Sequence, residues 1–445
     1  MNQRTRVTVT IAVIVFLIVS LGVQAAVVGR DHEVINTDER YPGNTLVGVH
    51  SYNDDGRIVE LTSDGEVAWE WSVPDSRVFA VEQLDEETVL AAVAVETPAA
   101  DCPEEYLEYE DEDDHCVHNR VVEIDKDSNE VVWEYDWYDE FIVNHEVHDV
   151  ERLDNGETAI ADMGNDRAFT VDRDGEITWE WHAEDHLTPG TPFYEEYGGP
   201  EKEGEHDDWT HMNDIDHLEN GNFQMSIRNF DVIIEVDPET DEIVDTVGEP
   251  GNYGMLKHQH NPHRIEAEGT MVVADSENDR IIELDLESEE HVWRYTGPSS
   301  NSLQWPRDAD RLPNGNTLIT DSRNNRVLEV NPDGEIVWQF ADPGGTVIPL
   351  PYEADRIGVD ERSDVPPGNE LTEVDDEPGR IESTIRKWEA MAQYLLPTWM
   401  HLPQVLHVVG IALGALWLCA EGVAFGWRRI NGDRSDPDSP ASRPP

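Results

Sequence analysis

The sequence predicts an all-β fold, a six-bladed β-propeller flanked by N- and C-terminal transmembrane helices, and three observations predict it. The first is a motif that recurs six times. Its clearest copy spans residues 308–338, with two-residue turns at Asn314-Gly315 and Asp333-Gly334 and Trp338 at its end. Related copies end at Trp69, Trp133, Trp179, Asp245 and Trp293, so successive ends lie 64, 46, 66, 48 and 45 residues apart. The second is the alternation of apolar and polar residues between those turns, the signature of four antiparallel strands joined by hairpins. Four such strands cannot bury both faces alone, so the units must stack side by side, and six close into a ring. The third is a pair of apolar runs, 7–28 and 405–427, each long enough to cross a bilayer.

Along the chain, residues 1–30 read as an uncleaved signal anchor, because 22 residues without a charge follow Arg4 and Arg6. A cleavable signal is the alternative, with Val23-Gln24-Ala25 as its processing site. The propeller is expected over 37–360. Its two long repeat intervals carry insertions, one near 101–119 and a His- and Glu-rich one near 182–210. The segment from Tyr352 to Ile357 repeats the start of a blade, which predicts a last strand completing the first blade. Residues 361–404 read as an acidic linker followed by an amphipathic juxtamembrane stretch, 405–427 as the second span, and 428–445 as a tail. Arg428, Arg429 and Arg434 follow that span. Arginines therefore flank the outer end of both spans, which by the positive-inside rule puts both termini in the cytoplasm and the propeller outside the cell membrane. His407 and Glu421 fall in the second span, with Glu421 near enough to its inner end to snorkel.

Charge excludes one class of partner. The chain has 97 Asp+Glu against 30 Lys+Arg, a formal net charge of −67, and a nucleic-acid binder needs a basic face instead. Disorder is excluded by 14 Trp, 9 Phe and 12 Tyr spread through patterned strands. With only Lys126, Lys202, Lys257 and Lys387 as lysines, the acidic coat suits high salt, where screening removes self-repulsion. A halophilic, archaeal source is expected. Cys102 and Cys116 lie in one acidic insertion and predict a disulfide in an oxidising compartment. Metal binding by that pair with His115 and His118 is the alternative reading. Cys419, inside the second span, is expected to be inert.

Seventeen histidines are present, and ten fall between His145 and His263. Aligning the blades on their Asn-Gly turns puts His148, Asn213, His260 and Arg307 in one column at the blade opening, with one inserted residue needed in the His260 blade. Equivalent innermost positions converge on the axis of a propeller. His211 and His258 stand two residues earlier, on the same strand face. In the fourth blade Ile227-Arg228 replaces the Asp-Met163, Asp-Ser276 and Asp-Ser322 of its neighbours. An arginine placed there against the repeat suggests an anionic ligand, since its fork of donors suits oxyanions; a structural salt bridge is the bland alternative. His217 reads as structural, and His32, His50, His115, His118, His182, His186, His206, His291 and His401 receive no functional role.

At these residues the propeller resembles the arylsulfate sulfotransferase family, extracytoplasmic six-bladed propellers acting on phenolic sulfates. The motifs are His211-Met-Asn213 followed by Arg228, the pair Gln259-His260, and the pair His148-Asp149, one per consecutive blade. The resemblance implies transfer of a sulfuryl group from an aryl sulfate to a phenol without a nucleotide, metal or other cofactor. It implies His260 as the transiently sulfated nucleophile, His211 or His148 as the proton-transferring group, and Arg228 with Asn213 on the sulfuryl oxygens. Asn213, His258, Arg307 and His145 are the expected substrate-binding residues. Two departures stand out: the family's N-terminal sandwich domain is missing, and Arg307 occupies a position where a small hydroxylic residue is expected. The competing reading is a non-enzymatic, membrane-tethered propeller that binds surface ligands or partners. A quinone-cofactor dehydrogenase or lactonase-type hydrolase needs calcium and carboxylates at the axis, whereas this column is basic and polar.

Overall fold

Twenty-five strands and two long helices make up the structure, a computed structural model. It describes residues 3–28, 32–51, 55–107, 115–140, 143–204, 207–298, 301–359, 365, 371–374, 384, 388, 400 and 402–432. His206, His401, the tail beyond 432 and most of the expected linker lie outside the described residues. The chain divides into two units, residues 31–386 and the two ends.

Residues 31–386 hold six antiparallel sheets arranged as blades. Blade 2 runs Ser76–Gln83, Thr88–Pro98, His115–Asp125 and Glu130–Asp139 from inside to outside. Blade 3 begins with Val147–Arg152, blade 4 with Met212–His217, blade 5 with His260–Ile265 and blade 6 with Pro306–Arg311. Blade 1 takes Thr45–Val49, Gly56–Leu61 and Val67–Val73 from the start of the chain and its innermost strand, Pro351–Arg356, from the end. Thr45 pairs with Arg356 and Val47 with Ala354, so the ring is shut by the last strand, as the repeat predicts. One strand was not foreseen: Glu33–Asn36 adds a fifth, outermost strand to blade 6 by pairing with Ile336–Ala341.

The terminal Trp of the repeat has a physical reason. Its indole N–H donates to the outer turn of the next blade: Trp69 to Asn129 (3.0 Å), Trp133 to the Arg173 carbonyl (3.1 Å), Trp179 to Asp241 (2.9 Å), and Trp338 to the Ser63 carbonyl (2.9 Å). Carboxylates join the blades nearer the axis. Each innermost strand has an unpaired edge, and acidic side chains of one blade accept backbone N–H groups of the next. Asp149 takes Ile215 (2.7 Å), Asp308 takes Ala354 (2.9 Å), Glu353 takes Val81 (3.3 Å) and Glu82 takes Arg152 (2.8 Å). Valine, isoleucine, leucine and alanine from adjacent blades fill the space between sheets, in clusters such as Ile160, Phe169 and Leu90.

Cys102 and Cys116 form a disulfide across the base of the blade 2 insertion. The second insertion carries two short helices, Ala183–His186 and Pro192–Tyr197, and Lys202 from it pairs with Asp166 at 2.9 Å.

In the other unit, Gln3–Val28 and Leu402–Gly432 pack against one another. Their apolar cores, Thr5–Ala25 and Pro403–Phe425, are each long enough to cross a membrane. Gly410 approaches Leu17 and Gly414 approaches Ile14, while Gln404 donates to Gln24 (2.9 Å) and Ser20 meets His407 (3.2 Å). The contacts run in opposite chain order, so the helices are antiparallel. Gly-xxx-Gly spacing permits the close approach, and the amides with His407 satisfy one another within it.

Candidate active site

Each innermost strand starts with a bulge; in blades 3, 4 and 6 the residue it turns inward belongs to the column read from the sequence, while in blade 5 His260 stays paired with Ala274 and the bulge holds Asn261 and Pro262. Pairing slips at Met212/Asp214, Pro306/Asp308 and Val147/Asp149, leaving Asn213, Arg307 and His148 outside the ladder. Bulges re-aim side chains in this way. In blade 5 the slip lies between His260 and His263, which accommodates the inserted residue of the alignment. The same offset in blade 1 frees Tyr352, and the slip in blade 2 falls between Val78 and Val81 beside Phe79. Six blades therefore give Tyr352, Phe79, His148, Asn213, His260 and Arg307.

The approach to each bulge is fixed by the preceding blade. A residue with positive φ closes the short turn after the second strand, and its side chain caps the next blade opening. Asp166 accepts from Thr210 N (3.1 Å), Asp231 from His258 N (3.0 Å), Asp279 from Trp305 N (2.9 Å) and Asn325 from Leu350 N (2.9 Å). His211, His258, Trp305 and Leu350 themselves take positive φ, between 47° and 55°.

The rings converge. His148 lies 4.3 Å from Phe79 and 5.1 Å from His211, and Tyr352 stands 5.9 Å from His148 and 5.8 Å from His260. His50 joins them at 4.8 Å from Phe79 and 5.9 Å from Tyr352. The Arg307 guanidinium packs on Trp305 (4.1 Å) and Tyr352 (4.5 Å). His50, Phe79 and Tyr352 escaped the sequence reading. Tyr352 was visible only as a repeat start, and His50 ends a strand outside the repeated column.

Hydrogen bonds assign the tautomers. Ser276 Oγ lies 2.6 Å from the Pro306 carbonyl, to which it donates, so it accepts from His260 Nδ1 at 2.8 Å. The His258 carbonyl, 3.2 Å from the same nitrogen, also requires a proton there. Nδ1 is thus protonated and Nε2 keeps its lone pair. Burial, then Arg307 and Arg228, hold the His260 pKa well below the usual histidine range, so the ring is neutral. His211 donates Nδ1–H to Asp208 (2.7 Å) and likewise presents a bare Nε2. Burial and Arg228 outweigh Asp208 and bring His211 down to about 4. Burial and His211 push His148 well down too. The second insertion supplies Asp208, and Asn229 fixes it by donating to its carbonyl at 2.7 Å.

Blade 4 departs from the repeat at a pair of positions. Blades 3, 5 and 6 hold Asp162–Arg167 (2.7 Å), Asp275–Arg280 (2.6 Å) and Asp321–Arg326 (2.6 Å). Blade 4 has Ile227 facing Val232 there, both buried, and moves its arginine one place on to Arg228. Arg228 donates to Asn229 (2.8 Å), while its Nε has no partner among the described residues. Its charge lowers the pKa of His211, His258, His260 and His148.

Asn213 and Gln259 lock the strand that carries His260. Asn213 Nδ2 donates to the Gln259 carbonyl (2.8 Å), and Gln259 Nε2 reaches back to Ser226 (3.1 Å) and the Val232 carbonyl (2.8 Å). His145 goes elsewhere. Its Nδ1 lies 2.9 Å from Asp139 and 3.3 Å from Glu140, and Asn119 holds the backbone just after it, donating to the His145 carbonyl (2.9 Å) and accepting from Val147 N–H (2.8 Å). Burial alone would lower its pKa, but the Asp139 hydrogen bond and charge carry it upward.

Carboxylates line the channel away from that basic and polar column. They occupy the far ends of the innermost strands, around a cavity of about 670 Å³ that includes Glu82, Glu151, Asp310 and Asp355.

Among known families, the model described as arylsulfotransferase (ASST) matches residues 141–261. That span runs from the approach to blade 3 through the opening of blade 5 and contains His148, His211, Asn213, Arg228 and His260. No curated protein matches the chain. Among solved structures, a protein of unknown function from Bacteroides caccae is similar with a TM-score of 0.47 at 15% identity, covering 71% of this chain and 98% of that chain. The virginiamycin B lyase of Staphylococcus aureus, solved with quinupristin, has a TM-score of 0.40 at 12% identity, covering 69% and 87%.

Proposed function

We propose that the protein transfers a sulfuryl group from an aryl sulfate to a phenol, with His260 as the covalent nucleophile. The observation that carries this reading is a neutral His260 with Nδ1–H tied to Ser276 and Nε2 unprotonated, set between two arginines and aromatic rings. Nε2 attacks sulfur, an N–S bond forms, and the S–O bond to the donor breaks with its electron pair leaving on the phenolate. Arg228 meets the sulfuryl oxygens as charge redistributes. An incoming phenol then attacks sulfur while His211 Nε2 takes its proton, and the N–S electron pair returns to His260. Asp208 orients His211 for that step, and His148, 5.1 Å away, is the neighbouring imidazole through which the proton leaves. Phe79, Tyr352 and Trp305 offer flat faces to the aryl ring.

The same proposal puts the propeller outside the cell membrane and both termini in the cytoplasm. The antiparallel helix pair, the arginines beyond both spans and the Cys102–Cys116 disulfide support this. The test is sulfuryl transfer from 4-nitrophenyl sulfate to a second phenol in multimolar salt, with His260→Ala alongside. Transfer by the wild type alone supports the assignment, and no transfer by folded protein across several donors and acceptors would sink it.

A further inference from the structure

Four buried arginines of this propeller come with carboxylates. Arg280 has Asp275 at 2.6 Å, Arg311 has Glu283 at 2.8 Å, Arg326 has Asp321 at 2.6 Å and Arg356 has Glu329 at 2.8 Å. Arg77, whose charge reaches His50, has Glu146 at 2.6 Å. In a chain with a net charge of −67, finding such a partner is easy. Arg228 and Arg307 nevertheless form no ion pair with a carboxylate among the described residues.

Arg307 is the sharper case. It is 4% exposed, and its Nε and Nη1 have no hydrogen-bond partner among the described residues. Stacking on Trp305 and Tyr352 does not replace a counter-ion. Arg311 and Arg356 also stack on tryptophans, Trp293 at 5.1 Å and Trp338 at 5.0 Å, and still keep their carboxylates. The adjacent Asp308 turns away, taking Thr320 Oγ1 (3.1 Å) and the Ala354 N–H. Tyr352 Oη and Asn213 Oδ1 are also buried and without partners among the described residues, so three blades each leave a polar group unpaired.

Blades 4 and 6, which carry Arg228 and Arg307, flank blade 5, which carries His260. An aryl sulfate carries one negative charge and neutralises one guanidinium. The other would stay desolvated and unpaired, which is unfavourable in a buried site. We propose that the site selects doubly anionic aryl sulfates, with the ester group at Arg228 and a ring carboxylate at Arg307. Arg307 is then a specificity-determining residue. The inference deepens the proposed activity by naming the donor, and it rests on that reading for the placement of the ester.

Calorimetry on the full chain in detergent, at one fixed ionic strength, tests it with 4-sulfooxybenzoate against 4-nitrophenyl sulfate. The wild type is expected to bind the dianion at least about tenfold more tightly, equivalent to about 1.4 kcal/mol. Arg307→Gln should erase that ratio, and Arg307→Lys, which keeps the charge, should retain most of it. Equal affinities in the wild type overturn the proposal, as does a ratio unchanged in Arg307→Gln. If that variant fails to fold, a ratio lost in Arg307→Lys together with one kept in a folded Arg307→Met also overturns it. Binding is read without turnover. A retained dianion preference with no sulfuryl transfer would therefore reject the enzymatic reading and keep the anion assignment.

Discussion

At the residue scale, the site depends on which nitrogen of each histidine is free. His260→Ala removes the attacking atom and should lower transfer by at least about 10³-fold, with loss of the labelled protein adduct formed from a radioactive donor. An adduct that survives would move the nucleophile elsewhere. His211 acts as a base in its neutral form, and its pKa is about 4. Acceptor-limited turnover should therefore be level from about pH 5.5 to 8 and fall as pH drops through about 4. Asp208 raises that pKa, so Asp208→Asn should move the acid limb lower while slowing turnover through poorer orientation. A limb that moved to higher pH would remove His211 from the role. His148, Asn213, His260 and Arg307 were legible because the repeat puts them in register. Asp208 was hidden in an insertion that repeats nothing. The Asp139 and Glu140 partners of His145 were not legible, since neither belongs to the repeated column.

At the element scale, carboxylates do between innermost strands what ladders do within a sheet. Asp149 is the clearest, accepting Ile215 N–H at 2.7 Å and Val150 N–H at 2.8 Å. Asp149→Ala leaves a buried N–H unpaired and should cost about 1–3 kcal/mol in urea unfolding. Asp149→Asn, which keeps an acceptor oxygen, should cost less. Equal losses would mean that the charge and not the acceptor matters. Blade number, closure and insertions were all readable, because period-two alternation and Gly turns report local backbone directly. The fifth strand of blade 6 was not, since Glu-Val-Ile-Asn at 33–36 has too short a pattern to separate from a linker. Ile227 was noticed only through Arg228, and Val232 not at all. The paired loss of an Asp and an Arg becomes evident once the register sets them opposite each other.

At the scale of the whole molecule, charge and burial set the conditions for stability. Screening shortens from about 10 Å at 0.1 M salt to about 3 Å at 1 M, so raising NaCl over that range should raise the unfolding temperature of the propeller. A temperature that stays level would show that the acidic coat is not self-repelling. His263 gives a pH test. Burial, then Arg311, push it from 6.5 to about 4, so between those values the unfolded chain binds a proton that the folded chain refuses. Wild-type stability from this group is full above pH 6.5 and is lost as pH falls. Relative to the wild type, His263→Gln should gain up to about 1.4 kcal/mol per pH unit below 6.5. Parallel stability curves would show that this ring titrates normally. The strand that shuts the ring, Pro351–Arg356, also carries Tyr352 into the midst of His50, Phe79, His148, His260 and Arg307. A ribosome delivers that strand after every other blade component. A nascent or truncated chain ending before it leaves blade 1 one strand short and the cluster without its central ring, so the cluster is assembled only when the circle is complete.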